Sequence, residues 1–130
     1  MNYHFSKILN SDFDTAIAKI TDELKKEGFG IVTDIDMKET LKKKIDVDFR
    51  KYRILGACNP KYAYQALLLE DKVGTMLPCN VVVQELTDGR IEVSAVDPLA
   101  SMIAIENEKL IPLAKEIREK LQRVIENFRN

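Results

Sequence analysis

The chain's two cysteines are the residues best equipped for covalent or soft-metal chemistry, and each stands beside an Asn and a Pro. Cys58 precedes Asn59-Pro60 in the string LGACNP, and Cys79 sits between Pro78 and Asn80 in LPCN. Asn is a preferred helix N-cap, and Pro suits the first helical position because its missing N–H would be an orphan there anyway. Cys58 is therefore expected just ahead of a helix start. There the orphan N–H groups and the positive dipole end can lower a thiol pKa below its free value of about 8.5. Against this stands the ordinary role of a free cysteine, a small buried hydrophobe.

The two thiols are 21 residues apart, so no CxxC redox pair exists. A disulfide between strand ends is a geometric alternative to two free thiols. Met76 and Met102 could join them in a thiolate and thioether set of the kind that suits Cu(I), although methionine is more often core filler. Structural zinc needs four N or S ligands, and the single histidine is His4. No metal and no cofactor are assigned. Glu70 and Asp97 are the carboxylates expected nearest the thiols, and with Asn59 and Asn80 they would form a polar cluster at a pocket mouth. Capping alone accounts for Asn59 and Asp97, each worth about 1 kcal/mol, and Glu70 reads equally as a helix-surface residue. One terminal histidine supports no Ser/His/Asp triad, and no phosphate loop or dinucleotide fingerprint occurs.

Composition narrows the classes further. A chain of 130 residues makes one domain, with a hydrophobic content of 45% and charged residues at 32%. Twenty basic and twenty-one acidic residues leave a net charge of −1, so no global field draws the protein to nucleic acid or anionic membrane. Tyr52, Tyr62 and Tyr64 are not interleaved with a basic patch, which also argues against a nucleic-acid platform. The longest uncharged run, Val73 to Gln84, is too short to span a bilayer, and MNYHFSKIL lacks the layout of a signal peptide. A cytoplasmic protein with two resting thiols is expected.

The elements that must position the thiols follow from periodicity. Tyr3 to Leu9 reads as a strand, and Ser11 with Asp14 as a capping box for a helix ended by Gly28. Phe29 to Met37 alternates, with Phe29, Ile31, Thr33, Ile35 and Met37 on one face and Asp34 and Asp36 on the other. Residues 38–46 read as a short exposed helix anchored by Leu41 and Ile45, its Lys42-Lys43-Lys44 run a solvated face rather than an anion patch. Tyr52 to Cys58 is a strand, followed by a helix from Asn59-Pro60 to about Lys72 that Gly74 ends, and a further strand opens near Leu77. A three-residue Thr87-Asp88-Gly89 loop, with Gly89 left-handed, registers the hairpin that follows. It places Cys79, Val81 and Val83 opposite Asp97, Ala95 and Val93 on one inward face. Asp97-Pro98 starts a short helix over 99–104. The last helix carries Leu113, Ile117, Leu121, Val124 and Phe128 on one stripe, with Pro112 in its first turn. The order β-α-β-(α)-β-α-β-β-α argues an α+β fold, an antiparallel sheet of about five strands packed against helices.

The strings YRILGACNP, then Ala63, Ala66, Leu67 and Glu70 in A-x-x-A-L-x-x-E, then LPCNVVV, DG and Asp97-Pro98, resemble the prokaryotic domain-of-unknown-function family 302 over nearly the whole chain. The resemblance implies a small α+β domain, similar to the TATA-box-binding-protein-like fold, that forms homodimers. It carries Cys58, Asn59, Pro60, Glu70, Pro78, Cys79, Asp97 and Pro98 over as motif residues, and implies no activity.

The expected function is binding or handling of a small molecule at the LGACNP and LPCN elements, with Cys58, Asn59, Glu70, Cys79, Asn80 and Asp97 as ligand-binding candidates. One alternative is a thiol enzyme, for sulfur transfer or redox, with Cys58 and Cys79 as catalytic candidates. The other is an interaction domain in which the motif is core and caps. The expected partners are a second copy and a small molecule, with no nucleic acid and no membrane.

Overall fold

Alternating apolar side chains on two segments, Cys79–Glu85 and Ile91–Val96, build the central hairpin on which everything else is assembled. In the computed structural model, which describes residues 2–129, the strands are β1 (His4–Leu9), β2 (Gly30–Asp36), β3 (Tyr52–Cys58), β4 (Cys79–Glu85) and β5 (Ile91–Val96). The helices are α1 (Phe13–Lys26), α2 (Met37–Ile45), α3 (Pro60–Leu69), α4 (Pro98–Met102) and α5 (Leu110–Asn127). Two 3₁₀ segments, Asp71–Met76 and Ile103–Ile105, follow α3 and α4. The five strands form one antiparallel sheet in the order β1-β5-β4-β3-β2, as an α+β domain requires. The hairpin register is the one its turn dictates: Val81 pairs with Ala95 and Val83 with Val93, and Gly89 takes a φ of 85°.

One face of the sheet carries Leu55, Ala57, Cys79, Val81, Val83, Ile91, Val93 and Ala95, all buried against the apolar stripes of α1 and α5. Leu113, Ile117, Leu121 and Val124 on α5, and Phe128 just beyond it, are buried as their spacing demands, with Pro112 the third residue of the helix. On the opposite face, Ser6 and Ser94 share a hydroxyl–hydroxyl hydrogen bond of 2.7 Å, and Asn80, Val82, Gln84 and Glu92 stand in partial or full contact with solvent.

Several local expectations are corrected. Asp12, not Ser11, caps α1: its carboxylate accepts from the Thr15 N–H at 3.2 Å, which lets Phe13 occupy the first helical position and bury. Asp14 consequently has no capping-box partner at Ser11. α3 ends at Leu69, and Gly74 lies inside the 3₁₀ segment rather than at a helix terminus. This tighter winding delivers Val73 to the core, where it is fully buried. Along β2 the alternation breaks. The register against β3 shifts between Ile31 and Thr33, so a bulge at Val32 moves Ile31 and Ile35 to opposite faces and puts Asp34 on the same face as Leu55. The Asp34 carboxylate is met there by the Arg53 guanidinium, whose hydrogen bond holds it below the usual carboxylate range. Asp36, the last residue of β2, caps α2, its carboxylate accepting from the Glu39 N–H. Ile45 does not anchor α2, being 63% exposed. The lysine run is solvated, and Lys42 and Lys43 are already paired with Asp46 and Glu39.

Candidate functional site

The two motif strings meet in space because β3 and β4 are neighbours. Ala57 pairs with Cys79 and Gly56 with Asn80, so LGACNP and LPCN lie side by side at one end of the sheet. Gly56 is required at this junction. A Cβ built there would overlap the Thr33 hydroxyl and come within 2.6 Å of Pro78 Cγ, so the proline ring rests where a side chain would otherwise stand. The Leu77–Pro78 peptide bond is cis.

Beside this junction lies a cavity of about 250 Å³. Cys58, Cys79 and Pro78 form part of its wall, Tyr62, Ala63 and Ala66 of α3 another, and Met102 and Ile117 reach it from α4 and α5. The spacing of Tyr62, Ala63 and Ala66 is the i, i+4 and i+3 pattern of one helical face, a signal that was open to reading. Of the two methionines weighed beside the thiols, Met102 reaches the cavity and Met76 does not, and nothing local in the sequence announces Ile117, which arrives through tertiary packing. The lining is almost wholly apolar, Asn59 and the two thiols being its main polar groups apart from the Tyr62 hydroxyl.

The six expected site residues part company here. Cys58, Asn59 and Cys79 line the cavity, whereas Glu70, Asn80 and Asp97 do not. Asn59 occupies the N-cap position of α3 but makes no side-chain cap. Its amide instead donates to the Glu27 carbonyl at 3.2 Å, over the turn in which Gly28 takes a φ of 88°. The α3 start thus lacks a capping side chain, and the amide fastens it to the end of α1. Glu70 follows α3 in extended backbone, with Oε1 accepting from Asn107 Nδ2 at 3.4 Å. Asn80 is exposed on the opposite face of the sheet, because its neighbour Cys79 takes the inward position. Asp97 caps α4 through the Leu99 N–H at 3.0 Å and accepts from Arg118 Nε at 3.0 Å. The β4–β5 ladder ends at Val81–Ala95, so Asp97 turns to those partners and not to Cys79. The polar cluster expected at the pocket mouth does not form.

Both cysteines are free, Cys79 buried and Cys58 half-buried. Burial, and secondly the Cys58 thiol beside it, push the Cys79 thiol up to about 11. Asp97, placed opposite Cys79 by the register read from the turn, is not among the causes of the rise. Iodoacetamide should therefore label Cys58 of the native protein and reach Cys79 only on unfolding, with each site read by mass spectrometry. Labelling of Cys79 at the rate of Cys58 would contradict this placement. Among the described residues no group of three or more His, Cys, Asp or Glu is placed to hold a metal ion, and no helix is long and apolar enough to cross a membrane.

Comparison with known proteins returns a family model, Domain of unknown function DUF302, matching residues 5–128. Among solved structures, the crystal structure of an uncharacterized conserved DUF302 protein from Bacillus stearothermophilus superposes with a TM-score of 0.88 at 26% identity, covering 95% of this chain and 96% of that one. No curated protein matches the chain.

Proposed function

This chain belongs to the DUF302 family, and we propose that it is a small-molecule-binding domain whose ligand enters the cavity between β3, α3 and the Leu77–Asn80 segment. The observation that carries the reading is the convergence of the LGACNP and LPCN elements on one apolar cavity of about 250 Å³. That volume lies just below the usual range for ligand sites, about 300–1,000 Å³. It suits a compact ligand with an apolar body. The ligand-binding residues are then Cys58, Asn59 and Cys79, with Tyr62, Ala63 and Ala66 as the apolar wall.

The test is titration of small apolar fragments followed by amide chemical shifts in wild type and in Ala63→Leu, which fills the cavity with a good helix former. Shifts are expected to cluster at residues 57–59, 62–66 and 77–79 in wild type and to vanish in the variant while it stays folded. Shifts that map elsewhere, or that survive in Ala63→Leu, would sink the reading.

For assembly we propose a homodimer in the cytoplasm. The resting thiols suit a reducing compartment. β1 and β2 are the sheet edges, and β2 exposes Val32 and Ile35, at 61% and 45%, beside its bulge. A second copy that covers such an edge protects it from indiscriminate pairing. Sedimentation should give twice the chain mass at micromolar concentration, and a monomer there would remove the idea.

A further inference from the structure

We propose that the same cavity is a site for a soft monovalent metal ion, probed with Cu(I), held by Cys58 Sγ, Cys79 Sγ and Met102 Sδ. The proposal rests on the cavity reading above and names a ligand class for it. Three segments far apart in sequence, the end of β3, the start of β4 and α4, each bring one sulfur-bearing side chain to the lining of a single cavity. Met76 is not among them: it is 37% exposed on the 3₁₀ segment and does not line the cavity.

The donor set selects the ion. The lining holds no carboxylate and no imidazole, so Mg²⁺ and Ca²⁺ find no charged oxygen ligands and Zn²⁺ falls short of its usual four N or S ligands. Asn59, whose Nδ2 donates to the Glu27 carbonyl, adds only one neutral amide oxygen to the lining. Thiolate and thioether sulfur in an apolar setting select Cu(I). Met102 also separates this reading from simple thiol redox chemistry, in which a thioether has no part. The binding step balances without an oxidant: two thiols and one Cu(I) give a dithiolate complex of net charge −1, and two protons pass to solvent.

The test is anaerobic titration of the whole reduced protein with Cu(I) against a chromophoric chelator, for wild type, Cys58→Ser, Cys79→Ser and Met102→Leu. Circular dichroism confirms that each is folded. Wild type should withdraw one equivalent. Each serine variant should lose more than the about 10–100-fold that removing a ligand's hydrogen-bond partner costs. Met102→Leu, a volume-conserving change that keeps the fold, should weaken binding against wild type, by less than either serine variant. Failure of wild type to withdraw Cu(I), or equal withdrawal by Met102→Leu and by whichever serine variants fold, overturns the proposal. The fragment-shift experiment decides the parent reading separately: fragments that bind a protein indifferent to Cu(I) remove the metal and leave the pocket.

Discussion

Asp97→Ala is expected to destabilise the domain by about 2–3 kcal/mol, summing a lost helix cap and a lost hydrogen bond to a charged partner. Asp97 is the buried charged residue of the described chain, at 6% exposure. One carboxylate oxygen accepts from the Leu99 N–H and the other from Arg118 Nε, each at 3.0 Å. The residue therefore fastens three elements at once: its own N–H donates to the Tyr3 carbonyl at 2.7 Å ahead of β1, its cap starts α4, and Arg118 belongs to α5. The guanidinium also lies over the Phe5 ring, 5.4 Å from its centroid. Because Arg118 keeps partial access to water, its loss of a partner costs less than a fully buried charge would. Asp97→Asn retains a capping oxygen and should recover about half of the loss. Urea denaturation measures both, and an unchanged midpoint in the alanine variant would contradict the linkage.

The second large effect lies at alkaline pH. The folded state holds the Cys79 proton more tightly than the unfolded chain, because burial raises its pKa from the ordinary 9.0 to about 11. The sign follows directly. Below pH 9 the thiol is protonated in both states and its contribution is complete. Between 9 and about 11 the unfolded chain ionises first, and stability falls as pH rises. Two units of difference correspond to about 3 kcal/mol. Cys79→Val removes the ionising group and keeps an apolar side chain in the site. From pH 8 to pH 11 wild type should therefore lose about 2–3 kcal/mol more than the variant. Parallel stability curves would show that the thiol is not buried as described.

Much of the fold was legible in the residues. The α5 stripe from Leu113 to Phe128 could be read because a helix buried on one side repeats every third or fourth residue. Gly89 fixed the hairpin register because a three-residue loop with a left-handed glycine leaves one consistent inward face. The bulge at Val32 was not legible, since Phe29 to Met37 alternates cleanly in sequence and only pairing with β3 breaks it. Asn59 shows a different limit. Its type and position fit a cap, yet the amide is drawn to the Glu27 carbonyl, a partner 32 residues away. At the site, adjacency of the two motifs was readable from their strand ends. The cavity was not, because Tyr62, Ala63, Ala66, Met102 and Ile117 of its wall come from α3, α4 and α5. Glu70, Asn80 and Asp97 were grouped with the thiols by proximity in sequence, which a pleated strand and a capped turn then separated.

The most direct test of the ligand cavity is a crystal of the reduced wild-type protein soaked with a small apolar fragment. Fragment density is predicted in contact with Cys79, Ala66 and Met102, with the Asn59 amide still on the Glu27 carbonyl. Fragments seated only at other surfaces, with side chains collapsed across the space between Cys58, Cys79 and Ala66, would contradict the account.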